Sequence, residues 1–97
     1  MQSGSLRVRW EVDAPRNGFQ AVCGHVSNDR PMSVARVRLR VEGVDERGTV
    51  TSQREAEVLG QVPSGGNALY CITMGAGAAA YRVSVVRVDW AAGSDGP

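Results

Sequence analysis

The sequence predicts an all-β fold in which about seven antiparallel strands form a sandwich of two sheets. Apolar and polar residues alternate in several segments, most clearly in Leu6–Val12 and Ala35–Val41, and a period of two places every second side chain on one face of a strand. Valine is abundant, which favours sheet over helix. Turn-forming residues separate the alternating segments, and no segment repeats its apolar residues with the period of a helix.

Three strands are predicted in the first half of the chain. Leu6–Val12 runs into the turn-forming residues 13–18, and Phe19–Val26 follows this turn. The third strand, Ala35–Val41, points its apolar side chains inward and its arginines outward. The sequence Asp-Glu-Arg-Gly at 45–48 then predicts a hairpin turn, because its Gly tolerates a positive φ.

Four strands are predicted in the second half of the chain. Thr49–Gln53 is polar and rich in Thr, which suits the edge of a sheet, and Glu55–Val58 alternates again. Ala68–Met74 carries an apolar face. In the last strand, Tyr81–Trp90, the alternation changes phase after Val85. Since one extra residue restores the same face to the core, this change predicts a β-bulge.

Length and composition bound the domain organisation. In a chain of 97 residues, we predict one domain at 6–90, vector-derived or linker residues at 1–5, and a disordered tail at 91–97. The net charge of +1 argues against binding to nucleic acid, because proteins of that class carry a marked basic excess. No apolar run is long enough to span a membrane, so we expect no membrane insertion by this domain and any natural signal or anchor to have been trimmed.

Five short motifs are distributed along most of the chain: Gly24–Asn28, the Val34–Val41 strand, Asp45 with Gly48, Val62–Gly65 and Tyr81–Val83. Together they resemble the FxLYD family of bacterial and archaeal immunoglobulin-like domains. The name-giving motif of that family is replaced here by Val-Glu-Gly-Val-Asp at 41–45, in which only the Asp matches. The resemblance implies an immunoglobulin-like sandwich that acts outside the cytoplasm as an accessory module without catalytic residues. The residues themselves predict close sheet packing at Gly24 and a turn at Asn28.

The two cysteines are candidates for a covalent link. Alternation places Cys23 and Cys71 on outward faces, and they face each other if their strands are neighbours, as strands B and E are in an immunoglobulin-type sheet. We predict a disulfide, and the alternative is two reduced thiols in a cytosolic protein. His25 shares the face of Cys23. Because these three side chains fall short of the four ligands of a structural zinc site, we predict no metal.

An arginine ladder is the candidate binding site. Arg36, Arg38 and Arg40 alternate along one outer face, and guanidinium groups grip carboxylates or phosphates bidentately. The alternative is that acidic residues of neighbouring strands neutralise the ladder, and these are Glu42, Glu55, Glu57 and Asp89. The balanced charge of the chain favours this second interpretation.

Two further motifs do not have the context that their chemistry requires. Gly75–Ala80 fits a dinucleotide-binding fingerprint, but the residues after it alternate like a strand and do not start a helix, so no cofactor is predicted. Glu55 and Glu57 resemble the carboxylate pair of a glycosidase, yet a pair on an exposed strand has no substrate cleft. We therefore expect no enzyme activity.

The function expected from the sequence is that of a non-enzymatic module of a bacterial envelope protein. The expected location is periplasmic, secreted or in the cell envelope, and the expected role is to space other domains or to contact an unknown protein partner. The alternative is a binding module that takes an anionic ligand on the arginine ladder. Because Thr49–Gln53 is a predicted edge, we expect a monomer or a weak homodimer formed by edge-strand pairing.

Overall fold

A computed structural model describes residues 6–58 and 60–90. Within these residues it contains strands and no helix, which confirms the all-β prediction. The six strands are β1 (Leu6–Val12), β2 (Phe19–Asn28), β3 (Val34–Val44), β4 (Val50–Glu57), β5 (Asn67–Gly75) and β6 (Ala80–Trp90). The predicted linker at 1–5 and the predicted tail at 91–97 lie outside the described residues.

The strand count corrects the prediction of about seven strands. Thr49–Gln53 and Glu55–Val58, expected as two strands, form the single strand β4. The physical reason is that Arg54 between them does not break the chain but pairs with Val41 of β3, so the ladder is continuous. The polar strand does lie at an edge of its sheet, as the sequence predicts.

The strands form two antiparallel sheets of three strands each. We call β1-β2-β5 sheet one and β4-β3-β6 sheet two, in the order in which the strands are hydrogen-bonded. The inner faces of both sheets contribute to one apolar core, an arrangement compatible with a β-sandwich. Its buried residues are mostly aliphatic: Val22, Val26, Val34, Val37, Leu39, Val41, Val58, Val62, Tyr70, Ile72, Met74, Tyr81 and Val83.

Two hairpin turns follow from their local sequence. Asn17 and Gly18, between β1 and β2, both have positive φ, at 54° and 83°, as a two-residue type I′ turn requires. Asp45 starts the turn between β3 and β4, where its Oδ1 accepts hydrogen bonds of 2.9 Å from the backbone N–H groups two and four residues later. The turn predicted at 45–48 is therefore confirmed, and the Asp side chain adds to the backbone bonds that close it.

Gly24 allows β1 to approach β2 closely. A Cβ atom at this position would overlap the carbonyl oxygen of Arg9 and lie 2.7 Å from its carbonyl carbon. The same oxygen accepts a hydrogen bond of 2.9 Å from the hydroxyl group of Tyr70, which reaches across β2 from β5. Burial of the ring raises the pKa of Tyr70 to about 12. The close packing predicted at Gly24 is confirmed.

Asn28 joins the end of sheet one to two loops. Its side chain is 1% exposed, and its Nδ2 donates hydrogen bonds to the carbonyl oxygens of Met32 and Val62, at 2.9 and 3.2 Å. Its Oδ1 accepts a bond of 2.9 Å from the backbone N–H of Arg30, which forms the predicted turn. Both polar atoms of this buried side-chain amide, Nδ2 and Oδ1, are thus hydrogen-bonded.

Three side chains link the two sheets. The indole N–H of Trp10 in β1 donates to the carbonyl oxygen of Tyr81 in β6, at 3.0 Å. The hydroxyl of Tyr81 donates in turn to the carbonyl oxygen of Gly75 in β5, at 2.6 Å. On the opposite side of the molecule, Arg54 Nη1 of β4 donates to the carbonyl oxygen of Thr73 in β5, at 3.1 Å. Hydrogen bonds therefore bridge the two sheets on both of their open sides.

The predicted β-bulge is present in β6. Val85 pairs with Leu39 of β3, whereas Arg87 pairs with Arg38, so Val86 is the extra residue. The bulge returns Val88 to the core side, where it packs against the buried cluster.

Candidate functional site

The disulfide lies on the outer face of sheet one. Cys23 and Cys71 are directly opposite each other in the β2–β5 register, with Cα atoms 4.0 Å apart, and their sulfurs are bonded. The adjacent residues Val22 and Ile72 point to the opposite face of the sheet, where they belong to the core. The pairing predicted from alternation is therefore present in the fold, and the bond stands on the surface of the sheet, where the Cys71 side is exposed.

An open cavity surrounds this disulfide. It measures about 1030 Å³ and is lined by the central parts of β1, β2 and β5 and by Glu57 of β4. The register places Glu11 beside Cys23, and places His25 between Arg9 and Leu69. Leu69 is 76% exposed. This outer face thus combines an exposed aliphatic side chain with charges of both signs.

The hypothesis of a metal site at the cysteines is weakened by the bond between them. Zinc binds cysteine as a thiolate, and each sulfur of a disulfide is already bonded to the other. Within residues 6–58 and 60–90, no group of three or more His, Cys, Asp or Glu side chains is placed to hold a metal ion. His25 of β2 is half-buried and lies between Arg9 of β1 and Leu69 of β5.

The arginine ladder lies on the outer face of sheet two, as predicted, and acidic side chains meet two of its three members. Glu55 of β4 bridges Arg38 and Arg40, with N–O distances of 2.9 and 2.8 Å to its two carboxylate oxygens. Glu57 lies 3.8 Å from Arg38. Arg36 is exposed and pairs in register with Asp89 of β6. An anion would therefore have to compete with Glu55 for the middle of the ladder.

The acidic residues of this face have the electrostatics of ion-pair partners. Hydrogen bonds from Arg38 and Arg40 lower the pKa of Glu55 below its ordinary value of 4.5. A glycosidase general acid needs the opposite shift, so that it holds a proton at working pH. Glu42 is also engaged, because it accepts from Arg82 Nε at 2.8 Å. Glu55 is accordingly held in its ionised form by the two arginines.

The fingerprint-like segment Gly75–Ala80 is a loop between strands. β5 ends at Gly75 and β6 begins at Ala80, so the segment does not start a helix whose N-terminus could meet a pyrophosphate.

Some residues of the cavity were not found by sequence reasoning. Arg9, Glu11 and Leu69 join the cysteines only through the strand register. The signal that could have found them is the alternation itself, because Arg9 and Glu11 share a parity in β1, and Leu69 shares its parity with Cys71. What the alternation does not give is which strands are neighbours, and that information is needed to place all three around one disulfide.

Comparison with known proteins adds no relative. No family model, no curated protein and no solved structure matches this chain. In the described part of the chain, no helix has the length and apolar character needed to cross a membrane.

Proposed function

We propose that this chain is an immunoglobulin-like domain that acts as a non-enzymatic, extracytoplasmic accessory module of a bacterial envelope protein, in the manner that the FxLYD resemblance implies. Its role would be to contact a protein partner or to space neighbouring domains. The observation that carries the proposal is the outer face of sheet one, where the Cys23–Cys71 disulfide is surrounded by an open cavity.

The strand order supports the immunoglobulin-like topology. In immunoglobulin domains, strands A, B and E share one sheet, while strand C lies between C′ and F in the other. The orders β1-β2-β5 and β4-β3-β6 correspond to these two sets if the strands are read as A, B, C, C′, E and F in chain order. The disulfide then joins strands B and E within one sheet, as the sequence predicts.

The disulfide supports an oxidising compartment. Bonds of this kind persist in secreted, periplasmic and surface proteins, whereas cytosolic thiols are kept reduced. Because Cys71 is exposed, a reducing environment would have direct access to the bond. A location outside the cytoplasm is the setting in which such a surface disulfide is maintained.

The composition of the cavity supports a protein contact. Leu69 is the most exposed of the large apolar side chains in the described residues, and it stands beside His25 and Arg9 in one cross-strand row. Exposed aliphatic area next to Arg and a polar rim is typical of protein interfaces. The opposite charges of Arg9 and Glu11 suit a partner surface that is itself of mixed charge.

A site-specific photo-crosslink tests this proposal. A photoreactive amino acid replaces Leu69 in the exported parent protein, and the matched control replaces Arg40 on the outer face of sheet two. We expect one discrete crosslinked protein from position 69, absent at position 40, and lost when Arg9→Glu and His25→Glu are added. Equal crosslinking at both positions, or none at position 69, would contradict a contact on this face.

The anion-binding alternative is tested by a different measurement. Titration with a polyanion such as polyphosphate at increasing salt measures whether the ladder binds it. If the ladder is the functional site, affinity falls with salt and disappears in Arg38→Glu. We expect little binding by the wild type, because Glu55 pairs with both Arg38 and Arg40. In Glu55→Gln we expect the affinity for the polyanion to rise.

A further inference from the structure

Strand β6 is a long edge strand. It has 11 residues and pairs with β3 on one side only among the described residues. At its start, the backbone carbonyl of Tyr81 already accepts a hydrogen bond from Trp10. The stretch from Arg82 to Asp89 beyond this contact has no hydrogen-bonded strand on that side in the described part of the chain, and unpaired strand edges are templates for pairing with another strand.

The sequence of β6 has two-fold symmetry in residue type. Read outward from its centre, both halves run through Val, polar, Val, charged and aromatic residues: Val85, Ser84, Val83, Arg82 and Tyr81 in one direction, and Val86, Arg87, Val88, Asp89 and Trp90 in the other. An antiparallel pair of such strands places each half opposite the other half. The strand is therefore complementary to a second copy of itself, with Arg82 opposite Asp89 at both ends.

The β-bulge makes this register possible on one face. In a regular strand, residues 82 and 89 would point to opposite faces, because their numbers differ in parity. The extra residue Val86 reverses the phase, so that Arg82 and Asp89 both lie on the outer face, and Val83 and Val88 both on the core side. Directly opposed residues of an antiparallel pair share a face. Two bulged copies therefore pair with both of their cores on the same side of the sheet.

We propose that two copies of this chain associate by antiparallel pairing of their β6 strands, in the register that sets Arg82 of each copy opposite Asp89 of the other. Sheet two of one copy and sheet two of the other then form one continuous six-stranded sheet. This inference goes beyond the proposed module function and does not depend on the compartment or on the contact face of sheet one.

Charge complementarity supports the second copy as the occupant. Within one copy, Arg36 pairs in register with Asp89, and Arg82 pairs with Glu42. Joining the copies places these pairs in one row with the order Arg36, Asp89, Arg82 and Glu42, in which the sign of the charge alternates at every step. Opposite charges directly across strands stabilise a pair, whereas like charges oppose it.

The expected dimer is weak. Eight paired residues give an interface about 27 Å long and only one strand wide. The area that such a contact buries is smaller than that of a standard stable complex. Apolar side chains at the edge add to it, because Val86 and Trp90 are each 37% exposed in the single copy. We expect a rapid equilibrium in which the dimer is populated at high protein concentration.

Sedimentation equilibrium on four charge variants tests the proposal. Arg82→Glu and Asp89→Arg each place like charges opposite each other at two positions, so each should weaken dimerisation about tenfold. The double variant restores opposite charges between the two copies and should recover most of the lost affinity, although it sets like charges opposite Arg36 and Glu42 within each copy. Since the double variant carries both changes in every copy, its recovery does not arise from a change in the folding of the monomer. Gln53→Glu at the β4 edge is the control and should leave the dimer unchanged.

The register itself is tested by isotope-filtered NMR on a mixture of labelled and unlabelled protein. The proposal predicts nuclear Overhauser effects between methyl groups of Val83 in one copy and Val88 in the other. A wild type that stays monomeric at about 1 mM, a concentration at which only very weak pairs dissociate, would overturn the proposal. So would a dimer that Gln53→Glu weakens while the β6 swap has no effect, because that dimer pairs through β4.

Discussion

The outer faces of the two sheets are built from similar alternating strands but are stabilised in different ways. On sheet one, a single covalent bond between Cys23 and Cys71 joins β2 to β5. On sheet two, several ion pairs join β3 to its neighbours, with Glu55 bridging two arginines. The side chains of the first face make one covalent bond and one ion pair at its end, between Arg7 and Asp29, whereas the second divides its stabilisation among many weak contacts.

The difference has a functional consequence. Because the arginines of sheet two are largely engaged by acidic neighbours, that face has little charge left for a ligand. Sheet one concentrates its cross-strand link in one bond and leaves Leu69 exposed beside it. We therefore expect substitutions in sheet one to have large effects on stability or contact, and substitutions on the outer face of sheet two to have small ones.

Removal of the disulfide should produce the largest effect. The bond closes a loop with a sequence separation of 48 residues, and the unfolded-state entropy of such a loop corresponds to about 4 kcal/mol. We expect the Cys23→Ser, Cys71→Ser double variant to lose about this free energy of unfolding, measured by urea denaturation. Reduced wild type is the control and should match the double variant. Equal stability of oxidised and reduced wild type would contradict the prediction.

Gly24→Ala should be the next most disruptive change. The new Cβ atom would overlap the carbonyl oxygen of Arg9, so β1 must move away, and we expect a loss of about 2–3 kcal/mol. Gly75→Ala is the matched control, since no atom lies within 4 Å of a Cβ built there. Thermal unfolding of both variants measures the contrast, and a loss in Gly75→Ala as large as that in Gly24→Ala would refute the steric explanation.

Asn28→Ala should cost less than the glycine change but still be clearly measurable. It removes the bonds that Asn28 donates to the carbonyl groups of Met32 and Val62 and accepts from the N–H group of Arg30. Val62 keeps the bond from the N–H group of Val34, and we expect a loss of about 2 kcal/mol. Asn67→Ala, at an exposed position in β5, is the control and should change stability by less than about 0.5 kcal/mol. Chemical denaturation distinguishes the two, and equal losses would show that the buried bonds are not the cause.

Glu55→Gln should have the smallest effect, and that effect should depend on pH. The pKa of Glu55 is lowered by its hydrogen bonds to Arg38 and Arg40, so its contribution to stability is present above the unfolded value of 4.5 and is lost as the pH falls through the lowered folded value. The difference between wild type and variant should therefore disappear in acid. Glu46→Gln, in an exposed turn, is the control, and a difference that persists below the folded pKa would contradict the ion-pair account.

Much of the fold was predictable because alternation is a local signal. The bounds of β1, the bulge in β6, the turn at Asp45 and the outward position of both cysteines all follow from neighbouring residues. The division of β4 into two strands was wrong because a polar strand has no apolar pattern that marks its continuity. Cross-strand partners were less predictable, since a register is decided by the whole sheet.

The candidate site shows the same limit. Glu55 is the carboxylate that bridges Arg38 and Arg40. This choice depends on which β4 residue lies opposite each arginine. The role of Trp10 was also hidden, because an indole at an edge gives no sign in the sequence that its N–H reaches Tyr81 in the other sheet. Both contacts depend on tertiary geometry that local patterns do not contain.

The most direct test of this account is the intact mass of the denatured protein after alkylation, with and without prior reduction, on material purified without reductant. If Cys23 and Cys71 are bonded, neither is alkylated until the protein is reduced, and two adducts then appear. Alkylation of both Cys23 and Cys71 without reduction would contradict the disulfide, and with it the assignment to an oxidising compartment.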